Sequence, residues 1–471
     1  MSFIQSRNAL SCAVAGALAL SGATLWHSPV KAAGFYIQEQ SVSGLGRAFA
    51  GEAAVAQDSS TIFFNPAGMV FLPGTEVQAA VHLLVPKADV SDGGSTASGQ
   101  GLPLPPEMGG PIPGYNGSYE GGGGGNPYDP TPVPNLFISH QHDDRIWFGF
   151  GLTAPFGLAN HYDDDFFARY DSTETDLKVL NLQPSLAYRL TDRLAIGGGI
   201  DIQYADATLK NAIPDPGAGP EGPSVVTDGE QRLDADSWDY GFNLGLMWQA
   251  TDTTRVGLHY RQGIKHTLDG KARVRSPQTL AALGNEGFSE DGSADLHLPD
   301  MVALGLRQEV NDRWTLMAQY KWFKWSNFDE IRVRFDSDRR DNVVEQNYKD
   351  SWALSVGAEY QLDDRWTLRG GLQYDRTPTQ DGYRTTRTPD GDRTWYSFGA
   401  SYEQGPNWGF DVAYTYIDIS RESLDLRREF FEDAELPSPG GGGLPLDSTV
   451  DLTGTTEGHV HILAAAVRYR F

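Results

Sequence analysis

Cysteine, long apolar runs, an excess of basic residues and the short motifs of common hydrolases are all scarce or missing here. The one cysteine among 471 residues is Cys12, inside an N-terminal apolar run. The chain beyond that run therefore uses neither disulfides nor thiol chemistry. Leu10-Ser11-Cys12 is a poor acylation box, because most of the apolar run follows it. Lys and Arg number 37 against 62 Asp and Glu, a formal charge of −25. That balance excludes a nucleic-acid partner, since neutralising phosphates needs basic residues in excess. After the N-terminal run no stretch of about 18 apolar residues occurs, so transmembrane helices are excluded as well. Neither G-x-S-x-G nor H-E-x-x-H is present, and the ten histidines are scattered. A hydrolase acting on lipids would need a site built from dispersed residues; it stands as the less favoured alternative. No cofactor or metal is expected.

What is present first reads as an export signal. Arg7 supplies a positive start, Ala9 to Leu25 an apolar core, and Val30-Lys31-Ala32 a cleavage pattern. Residues 1–32 are expected to be removed, leaving Ala33 first in the mature chain. Aromatic residues make up 11%, with 54 glycines, a mixture unusual in an acidic soluble enzyme and ordinary in a membrane barrel with aromatic girdles.

The recurrent pattern is alternation with period two, the mark of strands with one lipid face and one lumen face. Trp238, Tyr240, Phe242, Leu244, Leu246 and Trp248 share one face, and Asp239, Gly241, Asn243 and Gly245 share the other. Tight turns separate such runs at Asp143-Asp144-Arg145, Thr191-Asp192-Arg193, Asn311-Asp312-Arg313, Asp363-Asp364-Arg365, Thr251–Thr254 and Gln404–Asn407. Longer polar connections are expected near 89–133, 157–176, 210–236, 276–293, 335–346, 376–393 and 420–457. The count from Thr75 to Phe471 is about fourteen strands, with short turns on one rim and long loops on the other, the build of an outer-membrane barrel. The last strand ends on the aromatic Phe471, similar to the signal read by the bacterial barrel-assembly machinery. The sequence thus predicts an all-β membrane protein in the bacterial outer membrane, crossing it many times. Its barrel should span 75–471.

Residues 33–74 do not alternate. They contain Gly34-Phe35-Tyr36-Ile37-Gln38-Glu39-Gln40, Ser43-Gly44-Leu45-Gly46-Arg47, and Asn65-Pro66-Ala67-Gly68-Met69. This stretch resembles the N-terminal hatch of the FadL family of outer-membrane transporters of hydrophobic compounds. The resemblance continues through Tyr260-Arg261, Trp322, Trp325-Ser326 and Asp375-Arg376-Thr377-Pro378 to the C-terminal strand. It implies a fourteen-stranded antiparallel barrel plugged by a small hatch of short helices, 33–74. It also implies passive uptake of long-chain fatty acids, or of aromatic hydrocarbons or alkanes, without energy source or cofactor. The implied partners are a hydrophobic small molecule, outer-membrane lipid and lipopolysaccharide; a monomer is expected.

Within that frame Asn65 is suited to cap a helix and Pro66 to its first turn, with Ala67 and Gly68 following. The motif either gates or simply fixes the hatch. Phe35, at the mobile end implied for the family, is a gate candidate. A fatty acid needs a partner for its carboxylate, and on the strands around Val256–Tyr260 and Leu316–Trp322 the phase turns Arg255, His259, Arg261, Lys265 and Lys321 inward. Arg261 and Lys321 are the candidates, although lumen cations usually pair with lumen acids. Leu280, Leu283 and Phe288, near a short helix expected at 279–283, are candidates for capturing ligand on the loops.

The third strand, Ile146 to Phe156, places Gly149, Gly151 and Pro155 on its inner face. Proline cannot donate to a ladder and interior glycines favour bends, so pairing should fail here. An unpaired stretch of wall is costly in a dry membrane, and its retention makes sense as a sideways exit for an apolar ligand. The alternative places Pro155 at the outer rim, where the strand ends.

Overall fold

The computed structural model describes residues 34–104, 106, 109–432, 435–437 and 443–471. The expected signal, 1–32, lies outside the described residues. Fourteen antiparallel strands close into one barrel. In chain order they are β1 (Thr75–Asp92), β2 (Thr131–Gln141), β3 (Ile146–His161), β4 (Glu174–Thr191), β5 (Leu194–Ile213) and β6 (Gly229–Gln249). Then come β7 (Thr254–Arg261, resumed as Lys265–Arg275), β8 (Gly287–His297, resumed as Met301–Glu309) and β9 (Trp314–Phe323, resumed as Glu330–Phe335). The rest are β10 (Ser351–Gln361, preceded by Asn342–Glu345), β11 (Trp366–Asp375), β12 (Arg393–Gln404), β13 (Trp408–Phe430) and β14 (Ser448–Arg470). Closure is made by β1 on β14, from Glu76 opposite Arg470 to Asp92 opposite Gly454.

Alternation sorts the side chains as expected. Trp238, Tyr240, Phe242, Leu244, Leu246 and Trp248 are all exposed on the outer face, where lipid, not water, is the solvent. The tight turns owe their recurrence to one side chain. The Asp143 carboxylate accepts the N–H groups of Arg145 and Ile146 at 2.7 and 2.8 Å. Asn311 does the same for Arg313 and Trp314, and Asp363 for Arg365 and Trp366. An Asx residue that satisfies the turn's own donors fixes where each strand reverses.

The segment before β1 lies inside the barrel as α1 (Val42–Leu45), α2 (Glu52–Val55), α3 (Thr61–Phe64) and a 3₁₀ turn, Pro66–Phe71. Helices of one turn do not stand alone in water, so these depend on the wall around them. Their backbone lies against inward glycines: a β-carbon on Gly257 would come 1.7 Å from Ala53 O, and one on Gly371 2.1 Å from Arg47 O. Any side chain at those wall positions would expel the segment.

Two expectations need correction. The strands run further out than the apolar alternation indicates: β3 continues to His161, β13 to Phe430, and β14 begins at Ser448. Within the first long connection a hairpin pairs Thr96–Leu102 with Ile112–Gly117. Above the lipid the outer face has no reason to be apolar, so those strand extensions read as loop. Lys265 does not point inward. It is exposed and pairs with Asp295 at 3.1 Å, because the interruption at 262–264 shifts the phase of β7.

Candidate functional site

The chain enters the site at Phe35. Its ring stands 4.8 Å from Trp325, 5.3 Å from Phe328 and 6.1 Å from Phe156, centre to centre. Tyr36 packs on Phe156 and Phe323 at 5.5 and 5.3 Å, and Tyr348 closes the far side against Trp325 and Phe328. Offset and edge-to-face contacts of this kind make a close-packed apolar cluster in the lumen. Five of the seven rings belong to the wall: Phe156 and Phe323 to strands, Trp325 and Phe328 to the linker within β9, and Tyr348 to the linker before Ser351; Phe35 and Tyr36 belong to the N-terminal segment.

Lys321 reaches the edge of this cluster from β9. Its ammonium donates to Gln38 Oε1 at 3.0 Å and lies 5.2 Å from the Tyr36 ring centre. Among the described residues no carboxylate stands within salt-bridge distance of it. Glu39, next after Gln38 in the chain, is fully buried, and neither of its carboxylate oxygens has a hydrogen-bond partner among the described residues. Burial pushes the Glu39 carboxyl up to about 7, opposed by its own backbone N–H, then by Arg393 and Lys321, and reinforced by Asp375. Arg393 is itself paired with Asp390, which also accepts the Gly34 N–H at 2.9 Å. A buried carboxyl and a buried ammonium that are not paired with each other form an arrangement of high energy that a polar ligand headgroup would relieve.

Arg261 is differently placed. It pairs with Asp201 at 2.8 Å, donates to Phe63 O and Gln183 Oε1 at 2.9 and 3.0 Å, and covers the Phe63 ring at 4.2 Å. It ties three wall strands to α3. Asn65 and its followers also lie in the seam between helices and wall. Asn65 Oδ1 accepts Ala67 N–H at 3.1 Å, while its amide donates to Ala53 O at 2.7 Å and Leu246 O at 3.1 Å. Pro66 opens the 3₁₀ turn, Ala67 abuts Gly197, and Gly68 passes so close to Thr61 that a β-carbon would stand 2.1 Å from its hydroxyl oxygen.

The wall beside Phe35 is interrupted. Pairing of β3 with β2 ends at Leu152 opposite Leu136, and its register on β4 jumps between Thr153 and Phe156. Pro155 is thus mid-strand, not at the strand end. The N-terminal segment supplies what β2 does not: Ile37 N–H donates to Pro155 O at 2.8 Å and Gly157 N–H to Phe35 O at 2.9 Å. Gly149 and Gly151 lie below, against Met69, Ile62 and Phe137, where they admit the helices.

On the loops Leu280, in the helix Gln278–Ala282, is buried with Leu102, Leu104 and Leu446, and Leu283 packs against the same group. Phe288 does not join them; it meets Phe335 at 5.7 Å beneath Arg339. A cavity of about 340 Å³ at the short-turn rim is lined by Arg307, Glu309, Arg313 and Glu359 and is too polar to hold an apolar ligand.

Sequence reasoning passed over Glu39, Phe156, Phe328, Tyr348 and the Asp390–Arg393 pair. A lone acid between amides in a segment bound for an apolar lumen was the available signal for Glu39. The pairing of Asp390 with Arg393 is a matter of loop folding and left none.

Residues 23–471 match the family described as "Outer membrane protein transport protein (OMPP1/FadL/TodX)". The chain is 29% identical over 433 residues to a long-chain fatty acid transport protein of Escherichia coli O6:H1, covering 86% of this chain and 90% of that one. It is also 29% identical over 417 residues to outer membrane protein P1 of Haemophilus influenzae, covering 82% and 86%. Among solved structures, a Pseudomonas aeruginosa FadL homologue superposes with a TM-score of 0.76 at 25% identity, over 93% of this chain and all of that one. The Ralstonia pickettii toluene transporter TbuX shares the fold, with a TM-score of 0.61 at 21% identity over 91% and 98%.

Proposed function

The chain belongs to the OMPP1/FadL/TodX family of outer membrane transport proteins, and from that premise we propose that it takes up long-chain fatty acids passively. Relatives named as long-chain fatty acid transporters support the substrate class. The observation that carries the reading is the aromatic cluster at Phe35, bordered by one buried ammonium, Lys321, that has no acid partner within salt-bridge distance among the described residues. An acyl chain fits the aromatic rings, and its carboxylate fits Lys321 in place of Gln38. Leu280 and Leu283 receive the ligand at the loops, the hatch 33–74 blocks the lumen below, and Phe35 moves to free the break in β3. The ligand leaves there into lipid, beside Pro155. No chemical step is involved, and purified protein should hydrolyse no lipid. It works as a monomer among lipid and lipopolysaccharide, after insertion by the barrel-assembly machinery.

Aromatic hydrocarbons or alkanes would use the same rings but leave Lys321 unemployed. Uptake of labelled oleate and of toluene, compared in a strain lacking the protein and in one restored with it, tests the choice. Restoration of toluene uptake alone would overturn the fatty-acid reading.

A further inference from the structure

The wall is interrupted between β6 and β7 as well, and among the described residues no backbone bond of the N-terminal segment covers the break. Pairing of β6 with β7 runs from Gln249 opposite Arg255 to Asn243 opposite Arg261, then stops. It resumes only at Asp236 opposite Asp269. Across the residues between, 237–242 on one side and 262–268 on the other, one backbone hydrogen bond is made among the described residues, Gln262 N–H to Phe242 O at 3.0 Å. In a closed barrel every such group must be satisfied within the wall, because hydrocarbon supplies no partner. The stretch also carries Trp238, 62% exposed, and Tyr240, 81% exposed, on its lipid side. On its lumen side Ser237, Asp239 and Gly241 are partly exposed, whereas Asp201 and Gln203, facing the lumen on β5, are buried. The exposure of inward groups means that the two strands stand apart.

One side chain bridges the separation. His266, from β7, reaches Ser237 Oγ at 2.9 Å and Gln203 Oε1 at 3.1 Å, with Asp239 at 3.3 Å. Below it Ile264 turns inward, so near Gly241 that a β-carbon there would lie 2.8 Å from Ile264 Cγ1. Ile264, Leu298, Met301 and Phe323 belong to the same continuous buried cluster as Phe35 and Trp325. An apolar path of side chains therefore leads from the aromatic cluster to this part of the wall.

We propose that the interruption between β6 and β7 is a second lateral passage, through which unbranched hydrocarbon chains exchange between the lumen and the outer leaflet, with His266 as its latch. It rests on the transport reading above and adds a route distinct from the break in β3. The two differ in their closure: the first is held by backbone bonds of the N-terminal segment, the second by the His266 side chain and the single bond from Gln262 to Phe242. Ligand seated against Trp325 thus has a way through the wall that requires no movement of Phe35.

The test uses the near-absence of cysteine. Gly241→Cys with Ile264→Cys places two thiols at a separation suited to a disulfide, whose β-carbons stand about 3.8 Å apart. Cells in which this variant is the only such transporter should take up labelled oleate normally when reduced. On oxidation uptake should fall several-fold, and return with reductant. Complete cross-linking with unchanged uptake overturns the passage and leaves the transport reading standing. No uptake by the unsubstituted protein overturns both. His266→Ala, which keeps the wall residues, should raise uptake in the unstapled protein; a fall, or no change, counts against the latch. In the unsubstituted protein a photoreactive alkyl chain in the membrane should label the peptides carrying Trp238 and Ile264; labelling of Trp238 alone would mean that the chain stops at the wall.

Discussion

Lys321 and Gln38 are joined by one hydrogen bond of 3.0 Å, a neutral partner for a buried ammonium, where the neighbouring lumen cation Arg261 holds a carboxylate. Exchange of Gln38 for a ligand carboxylate turns an ion–dipole contact into an ion pair. Lys321→Ala should therefore weaken a fatty acid more than the fatty alcohol of equal length, by about 1.5–3 kcal/mol, the usual contribution of a charged hydrogen bond. Binding of both to purified protein measures it. Equal losses would make Lys321 a packing residue.

Arg261 should behave otherwise. Its removal leaves Asp201 buried with only the amides of Asn181 and Asn243. Breaking one half of such a pair costs about 3–5 kcal/mol. Arg261→Ala should lower the melting temperature in detergent while leaving the preference for acid over alcohol as it was. A lost preference at unchanged stability would place Arg261 at the ligand.

The Glu39 carboxyl is raised from 4.5 to about 7 by burial. A carboxyl that holds its proton more tightly in the seated segment stabilises that seating below its ordinary value, and the contribution is lost as pH rises through about 7. Protection of the amides of residues 35–40, taken relative to intrinsic exchange at each pH, should therefore be greater at pH 5 than at pH 8. Glu39→Gln, neutral throughout, should flatten the difference; a difference that persists would assign it to another group.

Pro155→Val gives β3 a donor at the break. Uptake should fall while the barrel folds and its loops stay recognisable to surface probes. A folded variant with parental uptake would remove β3 from the route.

Gly257→Ala sets a methyl carbon 1.7 Å from Ala53 O. It should displace the helices and raise the conductance of the protein in a planar bilayer. Gly370→Ala, whose β-carbon meets nothing nearer than 3.9 Å, is the control and should stay silent. Equal conductance in the two would mean that the helices move aside without opening the lumen.

Much of this was legible because a membrane wall imposes a local rule. Each residue of Trp238–Trp248 faces either lipid or lumen, and its neighbour faces the other. The turn at Asp143 is equally local. The rule lapses where the lipid ends, which is why Ser448–Thr456 read as loop although it is strand. It lapses also where a strand breaks, which is why Lys265 fell on the wrong side. Within the lumen, sequence could name Arg261 and Lys321 as inward cations but could not tell them apart. Their difference lies in Asp201, sixty residues before Arg261 in the chain and brought to it, and not to Lys321, by the folding of the wall.

The glycine-lined wall has a consequence for how the molecule comes to exist. Helix backbone lies against wall backbone at Gly257, Gly245, Gly371 and Gly399, while the outer mouth is stitched by buried contacts such as Arg169–Asp228 and Asp171–Arg428. Neither end of a finished cylinder could admit so closely fitted a core. The last seam, β1 to β14, is itself bound to the core, since Glu76 accepts both Ser59 groups and the Arg470 guanidinium. The sheet must therefore curl around helices already in place, much as staves are drawn around a former, and the core sets the circumference at which the first strand meets the last.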